Sequence, residues 1–211
     1  MKFVIGDIFF VKGGVLDITD TLGNLEKKKE NYYEWLHDLA WAKRLFLALL
    51  VAVVTGIAAQ IRIPLGFTPV PITGQVFIVL LCGVILGNIY GGLSMILYMA
   101  IGFVGVPWFS GAASGLPIGP TTGYILGFVP AAFLIGLVTQ RYKQIHSFLF
   151  LLGLMMVAIL IIYICGAAHF ALFMKTNLKT TLYMAVLPFL PIDLIKALFA
   201  ACTARILLPK K

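Results

Sequence analysis

From Lys43 onward, long apolar runs alternate with short stretches rich in Gly and Pro. Six of these runs read as helices, near residues 44–61, 73–88, 91–106, 121–139, 147–173 and 191–208. A hydrocarbon core needs about 20 apolar residues per helical crossing, and backbone polar groups there must be satisfied within the segment. The pattern therefore predicts an all-α, polytopic bundle of six transmembrane helices spanning residues 44–208. Residues 1–43 form a separate zone in which apolar and charged residues are mixed. Within it, the stretch from about Leu25 to Leu39 fits an interfacial amphipathic helix, with Tyr32, Tyr33 and Trp35 at headgroup level.

Composition agrees with membrane residence. Of the 211 residues, 61% are hydrophobic and 11% charged, and the mean hydropathy is +1.03; about a quarter of a soluble domain is charged. The net charge of +8 does not indicate a nucleic-acid partner, because the basic residues lie at segment ends. With the N-terminus inside, Lys43, Arg44, Arg141, Lys143, Arg205, Lys210, Lys211 and the lysines of the first zone are cytoplasmic, and the outer loops keep only Arg62, Lys175 and Lys179. The positive-inside rule then places both termini in the cytoplasm of a multi-pass protein of the cell membrane.

The outer segments are expected at residues 62–72, 107–120 and 174–190. The first, Ile63-Pro64-Leu65-Gly66-Phe67-Thr68-Pro69-Val70-Pro71, is stiffened by its prolines and suits an apolar cap over a cavity mouth, Phe67 included. The second offers Trp108, Ser110 and Ser114 beside flexible glycines, able to cover an apolar ligand.

Seven of the eight acidic residues fall in the first 38 positions, which leaves Asp193 as the single carboxylate side chain of the remainder. Asp193 and Lys196 share a helix face at spacing i, i+3. An unpaired ion in hydrocarbon costs several kcal/mol, about 2.5 to 3.5 on the most lenient scale, so the two should face the bundle interior as partners. Pro191 places Asp193 in the first helical turn, where the helix dipole favours a carboxylate. A carboxylate that accepts and an ammonium that donates match a neutral group offering N–H donors beside a carbonyl, such as a cyclic urea or amide. A ligand carboxylate is better served by a helix N-terminus. The segment Gly119-Pro120-Thr121-Thr122-Gly123-Tyr124 supplies one, with Thr121 and Tyr124 as candidate contacts. Gln75 and Tyr98 are further polar groups within spans. Ala48 and Ala52 form a small-xxx-small face on which another membrane helix can pack.

The motifs from Ile63 to Thr73 with Gln75, Leu86-Gly87 with Gly91 and Ser94, Tyr98 with Gly102, Gly105 and Pro107, residues 119–124, and Asp193-x-x-Lys196-Ala197 occur in an order that resembles the BioY family. These are the biotin-specific S components of energy-coupling-factor (ECF) transporters. The resemblance covers roughly residues 44–208 and implies a six-helix fold that binds one biotin near the outer face, with Asp193 and Lys196 engaging the ureido ring. It further implies that Ala48 and Ala52 meet a transmembrane coupling protein, and that two ATPase subunits power inward delivery. Some relatives carry an Asn in the second outer segment; here that stretch, Ser110 to Gly115, has none.

No Gly-x-x-x-x-Gly-Lys-Ser/Thr loop is present, so the chain itself is not expected to be an enzyme. No cofactor or metal is expected: biotin is the transported ligand, and no His or Cys spacing matches a zinc site. The alternative is a stand-alone proton-coupled carrier of biotin or another small molecule, with Asp193 as the relay. Against it stands the lack of a visible inverted repeat.

Overall fold

The computed structural model describes residues 23–25, 27–29, 31, 39–115, 119–142 and 147–208, together with the backbone of residues 10, 11, 14 and 15. Most of the interfacial helix expected between Leu25 and Leu39 lies outside the described residues. Near the N-terminus, the two-residue strands Phe10–Val11 (β1) and Gly14–Val15 (β2) pair antiparallel.

Helix α1 (Trp41–Gln60) turns Ala48, Ala52, Thr55 and Ala59 inward as one buried stripe, and its larger apolar residues, including Phe46 and Ile57, outward. Small residues on the inner stripe allow close approach to the neighbouring helix, while large ones outside present hydrocarbon to lipid.

The segment after α1, expected as a loop, is a β-hairpin. Strands Arg62–Leu65 (β3) and Thr68–Thr73 (β4) pair antiparallel, with an irregularity between Ile63 and Leu65, where Pro64 falls. A two-stranded ribbon has open edges on both sides, so proline is tolerated at positions whose N–H is not needed. The residues alternate as a strand requires: Thr68 and Val70 are buried and Pro69 is exposed.

Helix α2 (Gln75–Val104) is broken at Gly87, whose φ of 76° and ψ of −170° suit glycine alone. The chain doubles back there. Cys82 Sγ lies 3.8 Å from the Gly91 carbonyl oxygen, whereas nine residues of straight helix would separate them by about 13.5 Å. The two arms correspond to the separate runs read at 73–88 and 91–106. Gln140 of α3 (Thr122–Arg141) closes the break, its Oε1 accepting the Asn88 N–H at 3.2 Å.

Helix α4 (Phe148–Met174) begins with Ser147 capping the Phe150 N–H at 3.3 Å. The segment expected as a third outer loop contains a helix instead, α5 (Leu178–Ala185), because Asn177 caps it by accepting the Thr180 N–H at 2.9 Å. After a turn the chain enters α6 (Leu190–Leu207) at a bend of 51°. Among the described residues four helices, α1 to α4, are long and apolar enough to cross a membrane, and the bent α5–α6 pair makes five when taken as one crossing. The protein is thus mostly helical and multi-pass.

Candidate functional site

The end of the bundle opposite Trp41 and Leu207 gathers β4, the start of α2, the 105–115 loop, the start of α3, the middle of α4 and the start of α6. They enclose a cavity of about 730 Å³, counting its open mouth. Its walls are apolar, built by Val70, Phe109, Ile125, Phe128, Ile162 and Phe189, with a few polar groups among them. That composition is typical of a small-molecule pocket.

Asp193 is the electrostatic centre of the cavity. Its N–H bonds the Phe189 carbonyl at 2.9 Å, fixing it in the first turn of α6. Oδ1 accepts from Lys196 Nζ at 2.7 Å and Oδ2 accepts from the Tyr163 hydroxyl at 2.7 Å. Charge-assisted bonds of this length are the strong ones, and they hold an ionised carboxylate against burial. Each carboxylate oxygen has lone-pair capacity for a further N–H, and the ammonium can offer further donors. A neutral ligand with paired N–H groups and a carbonyl therefore meets complementary atoms here.

A second polar chain runs up another wall. Thr73 Oγ1 donates to Gln75 Oε1 at 3.0 Å, and Gln75 Nε2 donates to the Tyr98 hydroxyl at 2.7 Å. Thr73 and Gln75 line the cavity, while Tyr98, fully buried, stands behind Gln75 and orients it. Thr121, at the start of α3, and Ser110 also line the cavity; the Ser110 Oγ is buried with no hydrogen-bond partner among the described residues. Tyr124 lines it too, its hydroxyl donating to the Ala185 carbonyl and its ring meeting Phe189 edge-on at 6.4 Å.

Of the residues expected at the site, Asp193, Lys196, Gln75, Ser110, Thr121 and Tyr124 all line this cavity. Phe67 sits exposed at the hairpin turn, and Ser114 is exposed on the outer side of the loop. Trp108 packs on α1 at Gly56 and donates from Nε1 to the Tyr98 carbonyl at 3.0 Å, so it braces the loop from behind. Ala48 and Ala52 are both fully buried within the chain, on the α1 stripe that packs against α2. The sequence expected these two alanines to meet a coupling protein; in the single chain both are covered by its own residues. Tyr163 was not expected; its signal was a lone hydroxyl inside the 27-residue apolar helix α4.

A multi-pass helical bundle with one end folded over an apolar pocket and a buried ion pair defines a membrane-embedded binder of a small molecule. Comparison with known proteins narrows the class. The BioY family model matches residues 27–210. A "Probable biotin transporter BioY" of Pyrococcus horikoshii is 38% identical over 166 residues, covering 78% of this chain and 95% of that protein. The "Biotin transporter BioY" of Rhodobacter capsulatus is 35% identical over 172 residues, covering 75% and 89%. Among solved structures, the S-component for biotin from an ECF-type ABC transporter is similar with a TM-score of 0.71 at 27% identity, over 78% of this chain and 89% of that one. The chain belongs to the BioY family.

Proposed function

We propose that this protein is the biotin-binding substrate-capture subunit of an ECF-type importer, and that biotin occupies the cavity around Asp193. The observation that carries the reading is the buried pair with its third partner, Tyr163. In the proposed pose the ureido N–H groups donate to Asp193 and the ureido carbonyl accepts from Lys196. Phe109, Phe128 and Phe189 enclose the fused ring, and the valerate tail points toward Thr121, Ser110 and the start of α3. No resident cofactor takes part.

Six crossings are proposed for the membrane domain, residues 44–208, with the two arms of α2 counted separately and α5–α6 as one. The fold-back at Gly87 supports that count. Both termini are placed in the cytoplasm of a plasma-membrane protein, supported by the distribution of Lys and Arg, and residues 1–43 form an extension to this domain. Energy comes from partners, a transmembrane coupling protein and two ATPase subunits, since the chain has no phosphate loop.

Competition against labelled biotin tests the site: desthiobiotin, which keeps the ureido ring, should compete, and an analogue lacking the ureido carbonyl should not. Equal competition by both would remove Lys196 from the proposed role. Uptake into vesicles that persists with ATP after the proton gradient is collapsed distinguishes the importer from a proton-coupled carrier.

A further inference from the structure

Helix α1 contributes no side chain to the cavity wall, yet its last residue is bonded to the loop that does. Gln60 Nε2 donates to the carbonyl oxygens of Trp108 and Phe109, each at 3.1 Å, and to that of Gly56 at 3.2 Å. Its Oε1 accepts the Ala112 N–H at 3.1 Å. One amide thus satisfies both sides of a turn about fifty residues away, a task that needs a donor and an acceptor on one side chain.

The turn it grips carries two cavity residues. Phe109 is buried over Gly102 and against Tyr98, and its N–H bonds the Ala113 carbonyl at 3.0 Å across the turn. Ser110 presents its unpartnered hydroxyl beside it. Gly111 and Ala112 have φ of 81° and 57°, and the second is a conformation that an alanine holds only when its surroundings impose it. The Ala112 N–H is the one Gln60 accepts. Gln60 itself is exposed, so water competes for these bonds and the grip is reversible.

We infer that Gln60 is a positioning residue for ligand retention: its amide latches the 109–112 turn to the end of α1 and holds Phe109 and Ser110 against the cavity. The inference rests on the reading of this cavity as the biotin site. The base of the loop stays attached without the latch, through Trp108 on Gly56 and Trp108 Nε1 on the Tyr98 carbonyl. Loss of Gln60 therefore frees the turn and leaves the bundle intact.

The test uses the full chain in detergent, with Q60L and Q60E. Release of labelled biotin from Q60L should be on the order of ten-fold faster than from the parent. Hydrogen exchange of the ligand-free protein should quicken at residues 109–113 and stay unchanged in α3 and α4. In Q60E at pH 8 the carboxylate faces the Trp108 and Phe109 carbonyl oxygens and release is at least as fast as in Q60L. At pH 4, just below the ordinary glutamate pKa of about 4.3, most of the carboxyl is protonated and donates again, and release slows toward the parent rate. The charged groups nearby are Arg62, whose guanidinium lies against Gly111, and the Asp193–Lys196 pair in the same cavity; the parent, measured at both pH values, accounts for them. Equal release rates and equal exchange in parent and Q60L would overturn the latch, as would a Q60E that follows the parent at every pH. The Q60E profile decides the matter by itself where Q60L does not fold. A parent that binds no biotin would overturn the ligand reading, and the exchange comparison would still decide the latch.

Discussion

Removing Lys196 alone from the Asp193–Lys196 pair should do more harm to the fold than removing both members. In Lys196→Met the carboxylate, its side chain 6% exposed, keeps only the Tyr163 hydroxyl as a partner. An uncompensated buried charge of this kind costs about 3–5 kcal/mol. In Asp193→Leu the ammonium is orphaned instead, but Lys196 is 15% exposed and its long stem can carry the charge toward the mouth, so a smaller loss of about 1–2 kcal/mol is expected. The double variant replaces the pair with apolar groups of similar volume and leaves no buried charge; its remaining cost is the Tyr163 hydroxyl without an acceptor, about 1–3 kcal/mol, so it should lie nearer the parent than Lys196→Met does. Binding follows a different order: at about 1.5–3 kcal/mol per charged hydrogen bond to the ligand, Lys196→Met loses one and should bind biotin about ten- to a hundred-fold more weakly, whereas the two variants without Asp193 lose at least two and should bind at least about a hundred-fold more weakly. Thermal unfolding in detergent and labelled-biotin titration of the same four samples give both series. Stability losses that simply add, or a double variant that binds like the parent, would refute the reasoning.

Other residues make separate predictions. Tyr163→Phe keeps the ring and removes the donor to Asp193 Oδ2, so biotin affinity or ligand-free stability should fall by about 1.5–3 kcal/mol in combined unfolding and titration measurements. Gly87→Ala puts a side chain where φ is 76° and against Gln140, and should lower the melting temperature through a loss of at least about 1–3 kcal/mol. Gly102→Val intrudes on the Phe109 ring and should weaken biotin binding more than it lowers melting temperature, because the displaced ring belongs to the cavity wall.

The spans and the ion pair were legible in the sequence for one reason: hydrocarbon penalises polar groups so heavily that their positions are few and informative. Asp193 and Lys196 stand out in a stretch with no other carboxylate. Tyr163 obeys the same rule but was hidden, because a tyrosine in an apolar run resembles an ordinary packing aromatic until its hydroxyl is seen on Asp193. The hairpin was hidden by its prolines, which read as breakers although a two-stranded ribbon has free edges to receive them. Ala48 and Ala52 show the limit of a spacing motif: it marks a close helix contact, and only tertiary structure says that the contact is internal, against α2. Similarly, Tyr98 and Trp108 were recognisable as residues of the site region, but not as the layer behind Gln75 and the loop.

The central claim is that this chain alone captures biotin through the ring-facing pair. Equilibrium binding of labelled biotin to the purified protein in detergent, without any partner subunit, tests it most directly. Saturable binding of one biotin per chain, abolished in a folded Asp193→Asn variant, is the predicted result; a well-folded parent that binds no biotin would contradict it.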